Sequence, residues 1–462
     1  MNNNLLLNTD SYKASHWLQY PPGTEYVYSY IESRGGEYDR TVFFGLQAFI
    51  KEYLVNPITW DMIDEADEFW TAHGEPFNRE GWEYIMKAHA GYLPISIDAV
   101  PEGLVIDTRN ALVTVVNTDP KCFWLTSYIE TALLRSVWYP TTVATVSYHI
   151  KQNIRKYLNE TGDVAGLPFK LHDFGARGVS SLESAQLGGM AHLVNFMGTD
   201  TVSGILAARR YYKEPMAGFS IPAAEHSTIT TWGRSEEGET EAYRNMLKQY
   251  AKPGSLVAVV SDSYDIFHAC EKIWGETLKQ EVIDSGATVV IRPDSGDPVS
   301  TVLKVVQILD SKFGSVVNEK GYKVLNNVRV IQGDGVNPKS IDMIMHTLKT
   351  NGYSIDNIAF GMGGALLQHM NRDTLQFAMK ASAICINGKW QEVRKYPVGM
   401  PEKNSKGGRF KVLALPDGRG GNYRTVDIET VGDNVLKNVY RSGIILKSFT
   451  FSEVRELSNN AL

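Results

Sequence analysis

From about residue 168 the chain repeats one local pattern: a short apolar run, a polar or glycine stop, then residues at helical spacing. Thr288–Pro298, TVVIRPDSGDP, is the clearest instance. Val289, Val290 and Ile291 are β-branched and read as a buried strand. Arg292-Pro293-Asp294-Ser295-Gly296 ends it, since proline cannot donate to a ladder and glycine turns easily. TVLKVVQIL then returns to helical spacing. FKLHDFG stops in the same way at His172, Asp173 and Gly175, HLVNFMGTD at Asp200, and AGFSIPAAEHS at Glu225 and His226. SLVAVVSDS stops at Asp262, VRVIQGDG at Asp334 and Gly335, and IDNIAFGMGG at Gly361, Gly363 and Gly364. Repeated strand-then-helix units imply parallel strands with helical crossovers. Chemically useful residues at nearly every strand's carboxyl end predict an irregular parallel α/β barrel. An open doubly wound sheet is the alternative, and it would gather such residues at one switch point.

The two ends of the chain differ in style. YVYSYIES alternates as a strand, and DMIDEADEFWTAHG is an acidic helix stopped by Gly74. A helix is expected from about Trp124 to Trp138, with a second, longer one starting at YPTTVATV. FAMKASAICING and GRFKVLALPDG read as strands of a smaller sheet. Neither end carries a full core alone, so residues 1–150 and 376–462 are expected to form one α+β sandwich domain around a barrel at 151–375. Asp262 suits the N-cap of the helix that follows it.

A net charge of -6 over 462 residues leaves no basic excess for a nucleic-acid backbone. The three cysteines are scattered and odd in number, without Cys/His spacing, so no disulfide framework and no protein-built metal site is expected. The apolar run near the N-terminus is too short for a signal peptide, and no run approaches the roughly 18 apolar residues of a membrane span. A cytoplasmic location fits these features, with no membrane partner.

At the strand ends, Gly361-Met362-Gly363-Gly364 offers bare backbone N–H groups to an anion, and Arg372 just beyond adds charge. Asp334, after Gly333, suits ribose hydroxyls. Phe174 offers a stacking face, and Arg177 a phosphate contact. His226 beside Glu225 is a candidate tuned imidazole. Arg292 and Asp294 put a cation and an anion at one strand end.

Longer stretches carry a resemblance. NTDSYKASH (8–16), QYPPGTEYVYSY (19–30), KLHDFGARGVSS (170–181), GTDTVSG (198–204), SIPAAEHSTITTWG (220–233), VVSDSYDIF (259–267), IRPDSGDP (291–298), VIQGDGV (330–336) and IAFGMGGALLQ (358–368) span most of the chain. In these stretches it resembles the nicotinamide phosphoribosyltransferases, of the type II phosphoribosyltransferase family. The resemblance implies a cytosolic homodimer with shared active sites. It would join nicotinamide to 5-phosphoribosyl 1-pyrophosphate in NAD salvage, using Mg²⁺. Phe174 and Tyr12 of a second subunit would sandwich the pyridine ring, with Asp200 accepting from the carboxamide. Arg292 would face base and pyrophosphate, and Asp294 the ribose, with Gly333 and Asp334. Gly363 and Gly364, with Arg372 and Lys380 of the other subunit, would hold the 5′-phosphate. Arg177 and His226 would face pyrophosphate, near Arg34, Lys395, Lys403 and Arg409. ATP enters through phosphorylation of His226, which would join Arg292 and Asp294 as the catalytic group.

The chain departs from the family pattern at Ala176, Met362 and Ala378, which bears on the shape of the ring tunnel and on phosphate binding. Two rival activities follow from the same residues. One is transfer to nicotinate. The other is a metal-assisted hydrolase using Asp173, Asp262, Asp294 and Asp334, against which stands the absence of HxH or HExxH spacing.

Overall fold

The computed structural model describes residues 4–396, 405–415 and 422–461. The chain divides into two compact units. One comprises Val146–Arg209 and Pro215–His369, the other Met1–Thr145, Arg210–Glu214 and Met370–Leu462.

In the first unit six strands lie side by side in the order Gly198–Thr199, Leu171–Asp173, Ile358–Met362, Val328–Gln332, Thr288–Arg292 and Leu256–Val260. All five pairings are parallel. The sheet does not stay open. Residues 219–224 run between its two edges and bond to both. Phe219 donates to Met197 O at 2.8 Å and accepts from Thr199 N at 3.0 Å, while Ala258 N reaches Pro222 O and Ala224 N reaches Ala258 O, each at 2.9 Å. The parallel barrel is thereby closed by a segment too irregular to count as a strand.

Ala258, Val290 and Ile331 form a small buried cluster with Phe174, Ile221 and Ala359. Contributions from so many parts of the ring fit only the barrel interior, and their strand neighbours, such as Val289 and Ile291, are buried on the outer face. Helices cover that face. Pro298–Phe313 buries Val302, Val305, Val306 and Leu309, one stripe at helical spacing, and Asp297 caps it by accepting from Ser300 N at 2.8 Å.

The second unit is built on a seven-stranded antiparallel sheet in which both chain ends take part. Phe377–Ile386 pairs with Thr24–Ser33, and Lys437–Arg441 with Ile95–Ala99. Phe377–Ile386 therefore belongs to this large sheet and not to a smaller one. Among the described residues, Phe410–Ala414 pairs with Tyr423–Asp427 alone. The expected break before Pro140 is also absent: Glu130–Thr161 is a single helix of 32 residues. Proline there leaves the Ser136 carbonyl without its helical donor. Gly45 packs against this point, where a Cβ would lie 2.8 Å from Ser136 O and 2.3 Å from Pro140 Cγ. Thr141 Oγ1 accepts from Phe44 N at 3.2 Å, so the loop is tied to the helix where the proline interrupts it. The Arg210–Glu214 segment, expected within the barrel, belongs to this unit, and the Tyr212 hydroxyl donates to buried Glu102.

Candidate active site

The carboxyl ends of the parallel strands surround one cleft of about 430 Å³. Phe174, Arg177 and Asp200 reach it from the first two strand ends in sequence, and Arg292 and Asp294 from the Thr288–Arg292 strand. Gly333, Asp334, Gly363 and Gly364 complete it from the last two. Nine sequence-predicted residues thus share one mouth, although 190 positions separate Phe174 from Gly364.

Two glycines make room for the aromatic ring. A Cβ on Gly361 would stand 1.9 Å from Phe174 Cε2, and one on Gly333 would stand 3.4 Å from the same atom and 3.2 Å from Asp294 Oδ1. Gly361 thus accommodates the ring and is not one of the anion-facing residues. Met362 is buried, and its carbonyl accepts from Phe174 N at 3.0 Å, which fixes the start of the loop.

Asp200 stands half-exposed at the end of the Gly198–Thr199 strand, with its N–H on Asp173 O at 2.9 Å. Its Oδ1 accepts from Ser220 Oγ at 2.5 Å and lies 3.3 Å from His172 Nε2. Burial alone would push this carboxyl up. Bonds from His172 and Ser220, with the charge of Arg292, outweigh it and hold the group below its ordinary value. Asp173 behaves oppositely. It is fully buried, desolvation raises it to about 6, and its Oδ1 is used by Gly175 N at 2.7 Å.

Asp262 is not the helix cap expected of it. Asp265 takes that place, accepting from Phe267 N at 2.9 Å and His268 N at 3.1 Å. Asp262 instead clamps the neighbouring strand end: its Oδ2 accepts from Asp294 N at 3.0 Å and Ser295 Oγ at 2.5 Å. His226 does not pair with Glu225, which caps its own short helix. The imidazole bonds Ser263 Oγ through Nδ1 at 3.0 Å, and its Nε2 lies 3.5 Å from Asp294 and 3.8 Å from Asp262. Arg292 reaches Asp294 at 3.8 Å. Arg292 Nε, Asp262 Oδ1 and Gln332 Oε1 are buried with no hydrogen-bond partner among the described residues. Polar atoms held this way are costly unless something completes them.

A second cleft, of about 570 Å³, lies within the other unit, lined by Arg34, Arg372, Lys380 and Lys395, with Ala378 and Glu130 among the remainder. Burial pulls the Lys380 amine down from its ordinary value. Glu32 is buried and holds Arg34 Nε at 3.1 Å. Tyr12 is exposed, beside His16. Arg409 lies outside this cleft, stacked 4.7 Å over the Trp390 ring. Lys403 lies outside the described residues.

The clamp by Asp262 and the two donors on Asp200 were not legible in the sequence as such. The only signal for them was their position at strand ends. Asp173, Asp262, Asp294 and Asp334 do not gather as a metal-ligand set. Among the described residues the one such group is His89, Asp119 and Cys122. There Asp119 already accepts from Tyr84 and His89, each at 2.9 Å, and from Lys121 N at 2.8 Å.

The closed parallel barrel with an antiparallel companion unit is a known architecture. It is similar to the nicotinate-nucleotide pyrophosphorylase structure from Pyrococcus furiosus, with a TM-score of 0.64 at 15% identity, covering 100% of this chain and 96% of that one. At that identity the likeness is one of fold. By sequence, residues 169–443 match the profile of the nicotinate phosphoribosyltransferase (NAPRTase) family, and the chain belongs to that family. Residues 4–97 match the nicotinamide phosphoribosyltransferase N-terminal domain. The chain is 57% identical to a nicotinamide phosphoribosyltransferase of Xanthomonas campestris pv. campestris, covering 98% of this chain and 97% of that protein. It is 33% identical to one of Acinetobacter baylyi, over 97% and 95%.

Proposed function

We propose that this enzyme joins nicotinamide to 5-phosphoribosyl 1-pyrophosphate, giving nicotinamide mononucleotide and pyrophosphate in NAD salvage. The observation that carries the choice of base is Asp200, an ionised, half-exposed carboxylate in the same cleft as Phe174. A carboxylate accepts the N–H of a neutral carboxamide and repels the anion of nicotinate. The names of the relatives from Xanthomonas and Acinetobacter support the same base.

Breaking the bond from C1 to pyrophosphate leaves positive charge on the ribosyl ring and negative charge on the leaving group. No protein nucleophile is required, so the residues act by position and charge. Phe174 stacks the pyridine, a contribution of about 0.5–1.5 kcal/mol beyond burial that orients the ring but does not drive the chemistry. Arg292 and Arg177 offset the charge of pyrophosphate, and Asp294 and Asp334 hold the ribose. Gly363 and Gly364 take the 5′-phosphate. Mg²⁺ suits this donor set: such an ion takes one or two carboxylates plus substrate phosphates, and Asp262 and Asp294 are available. When bound, it would neutralise pyrophosphate.

A homodimer whose second copy supplies Tyr12, Arg372 and Lys380 belongs to the same proposal, on the strength of the family resemblance. So do phosphorylation of His226 by ATP and a cytoplasmic location. Among the described residues no helix is long and apolar enough to cross a membrane.

Nicotinate is the alternative base, favoured by the family's name. Initial rates with each base, followed by pyrophosphate release, separate the two. Nicotinamide should support release and omission of any base should abolish it. Release without base would instead indicate a hydrolase.

A further inference from the structure

Both donors to Asp200 meet the same oxygen. Ser220 Oγ is 2.5 Å from Oδ1, and His172 Nε2 is 3.3 Å from that atom. Among the described residues, the hydrogen bonds from side chains to the Asp200 carboxylate fall on Oδ1 and none on Oδ2. The carboxylate is therefore turned by two fixed groups so that one oxygen is saturated and the other left for a ligand.

The two donors are fixed by the barrel itself. His172 lies on the Leu171–Asp173 strand, in register with Gly198 on one side and Gly361 on the other. Its ring fits because residue 198 is glycine: a Cβ there would stand 2.6 Å from His172 Nδ1. Ser220 follows Phe219, whose two backbone bonds close the barrel against Met197 and Thr199. The closing segment thus has a local purpose. It brings a hydroxyl to the edge strand Gly198–Thr199 on the side away from Leu171–Asp173, where no regular strand lies among the described residues.

We infer that Ser220 and His172 are the positioning residues for base selection: together they hold Asp200 Oδ1, leaving Oδ2 as the acceptor for the carboxamide of the incoming base. His172 must then carry its proton on Nε2, since only that tautomer or the imidazolium donates to Oδ1. Fixing the supporting groups of a recognition residue is what sharpens its geometry. This rests on the reading of Asp200 as the group that meets the base.

The test is a double-mutant cycle with steady-state kinetics on the full-length enzyme, using nicotinamide and nicotinate. Ser220→Ala should raise the KM for nicotinamide about tenfold, the loss of one bond to a charged group, while kcat falls much less. Ser220→Thr should restore most of the loss. His172→Phe keeps a ring and removes the donor. It should lower the nicotinamide-to-nicotinate ratio of kcat/KM, and His172→Gln should recover it in part. In an Asp200→Asn background, Ser220→Ala should add almost nothing, because both changes act on one interaction. Additive losses in the cycle, or equal losses from Ser220→Ala and Ser220→Thr, would overturn the inference. If Asp200→Asn leaves the base preference intact, the reading of Asp200 itself is wrong. If Asp200→Asn erodes it while Ser220→Ala and His172→Phe do not, only the positioning role fails. Melting temperatures of all variants identify any that fails to fold, and the threonine and glutamine variants then carry the test.

Discussion

Phe174 occupies the space in which a side chain at residue 361 would stand, since a Cβ on Gly361 would lie 1.9 Å from the ring's Cε2. Gly361→Ala should therefore push the ring out of its seat and spare the strand. Overpacking of this kind costs about 1–3 kcal/mol, which here should fall on base binding as a loss of roughly 10- to 100-fold in kcat/KM. Steady-state rates with varied nicotinamide check this. An alanine variant with unchanged kinetics would mean that the ring position does not matter.

Asp262 is expected to act as a clamp on the Arg292–Asp294 turn. Asp262→Ala leaves Asp294 N–H and the Ser295 hydroxyl without their acceptor. A fall of about 10- to 100-fold in kcat/KM is expected from losing hydrogen bonds to a charged group. Asp262→Asn keeps an acceptor oxygen and should lose clearly less. Equal losses in both variants would show that the charge counts and the clamp does not.

Glu102 gives the fold a pH dependence. Burial pushes its carboxyl up to about 7, against hydrogen bonds from Tyr212 and Gln47 N that favour the anion. The folded group is then protonated where the unfolded chain is ionised. Its contribution is full below the ordinary carboxylate value of 4.5 and is lost as pH rises to about 7. The ceiling on that loss is about 3 kcal/mol. Glu102→Gln cannot ionise, so it should flatten this part of the profile and be more stable than the parent above pH 7. Urea midpoints at pH 5 and pH 8 measure it, and parallel profiles for the two proteins would contradict it.

Lys170 is buried, and its Nζ donates to the carbonyls of Ile355 at 2.8 Å, Ile358 at 2.9 Å and Asp356 at 3.1 Å. Desolvation pulls the amine down to about 8. Lys170→Met fills the volume but leaves three acceptors unpaired, and should destabilise the protein by about 2–4 kcal/mol. Urea unfolding at neutral pH is the check, and a variant as stable as the parent would exclude this role.

The barrel was legible because each strand carries its own stop signal, as Ile291-Arg292-Pro293 does. The closing segment was legible only as one more apolar run. Pro222 keeps it from being a regular strand, and only its contacts with both sheet edges reveal what it does. Tertiary contacts overrode local chemistry in two places. Pro140 should end a helix, but Gly45 lets the loop pack close to the freed carbonyl. Local chemistry points to Asp262 as the cap, yet Asp265 faces the helix and Asp262 the next strand end. The residues of the mouth were legible because strand direction alone sends them to one end. The partners that orient them, Ser220 for Asp200 and Asp262 for Asp294, come from other segments of the chain, and no local pattern records such pairs.

The central claim is that a negative charge at Asp200 selects a neutral base. Its most direct test is the ratio of kcat/KM for nicotinamide over nicotinate in the parent enzyme and in Asp200→Ser. The parent should favour nicotinamide strongly, and the serine variant should bring the two bases within about tenfold of each other. A parent that prefers nicotinate, or a serine variant whose ratio equals the parent's, would contradict the claim.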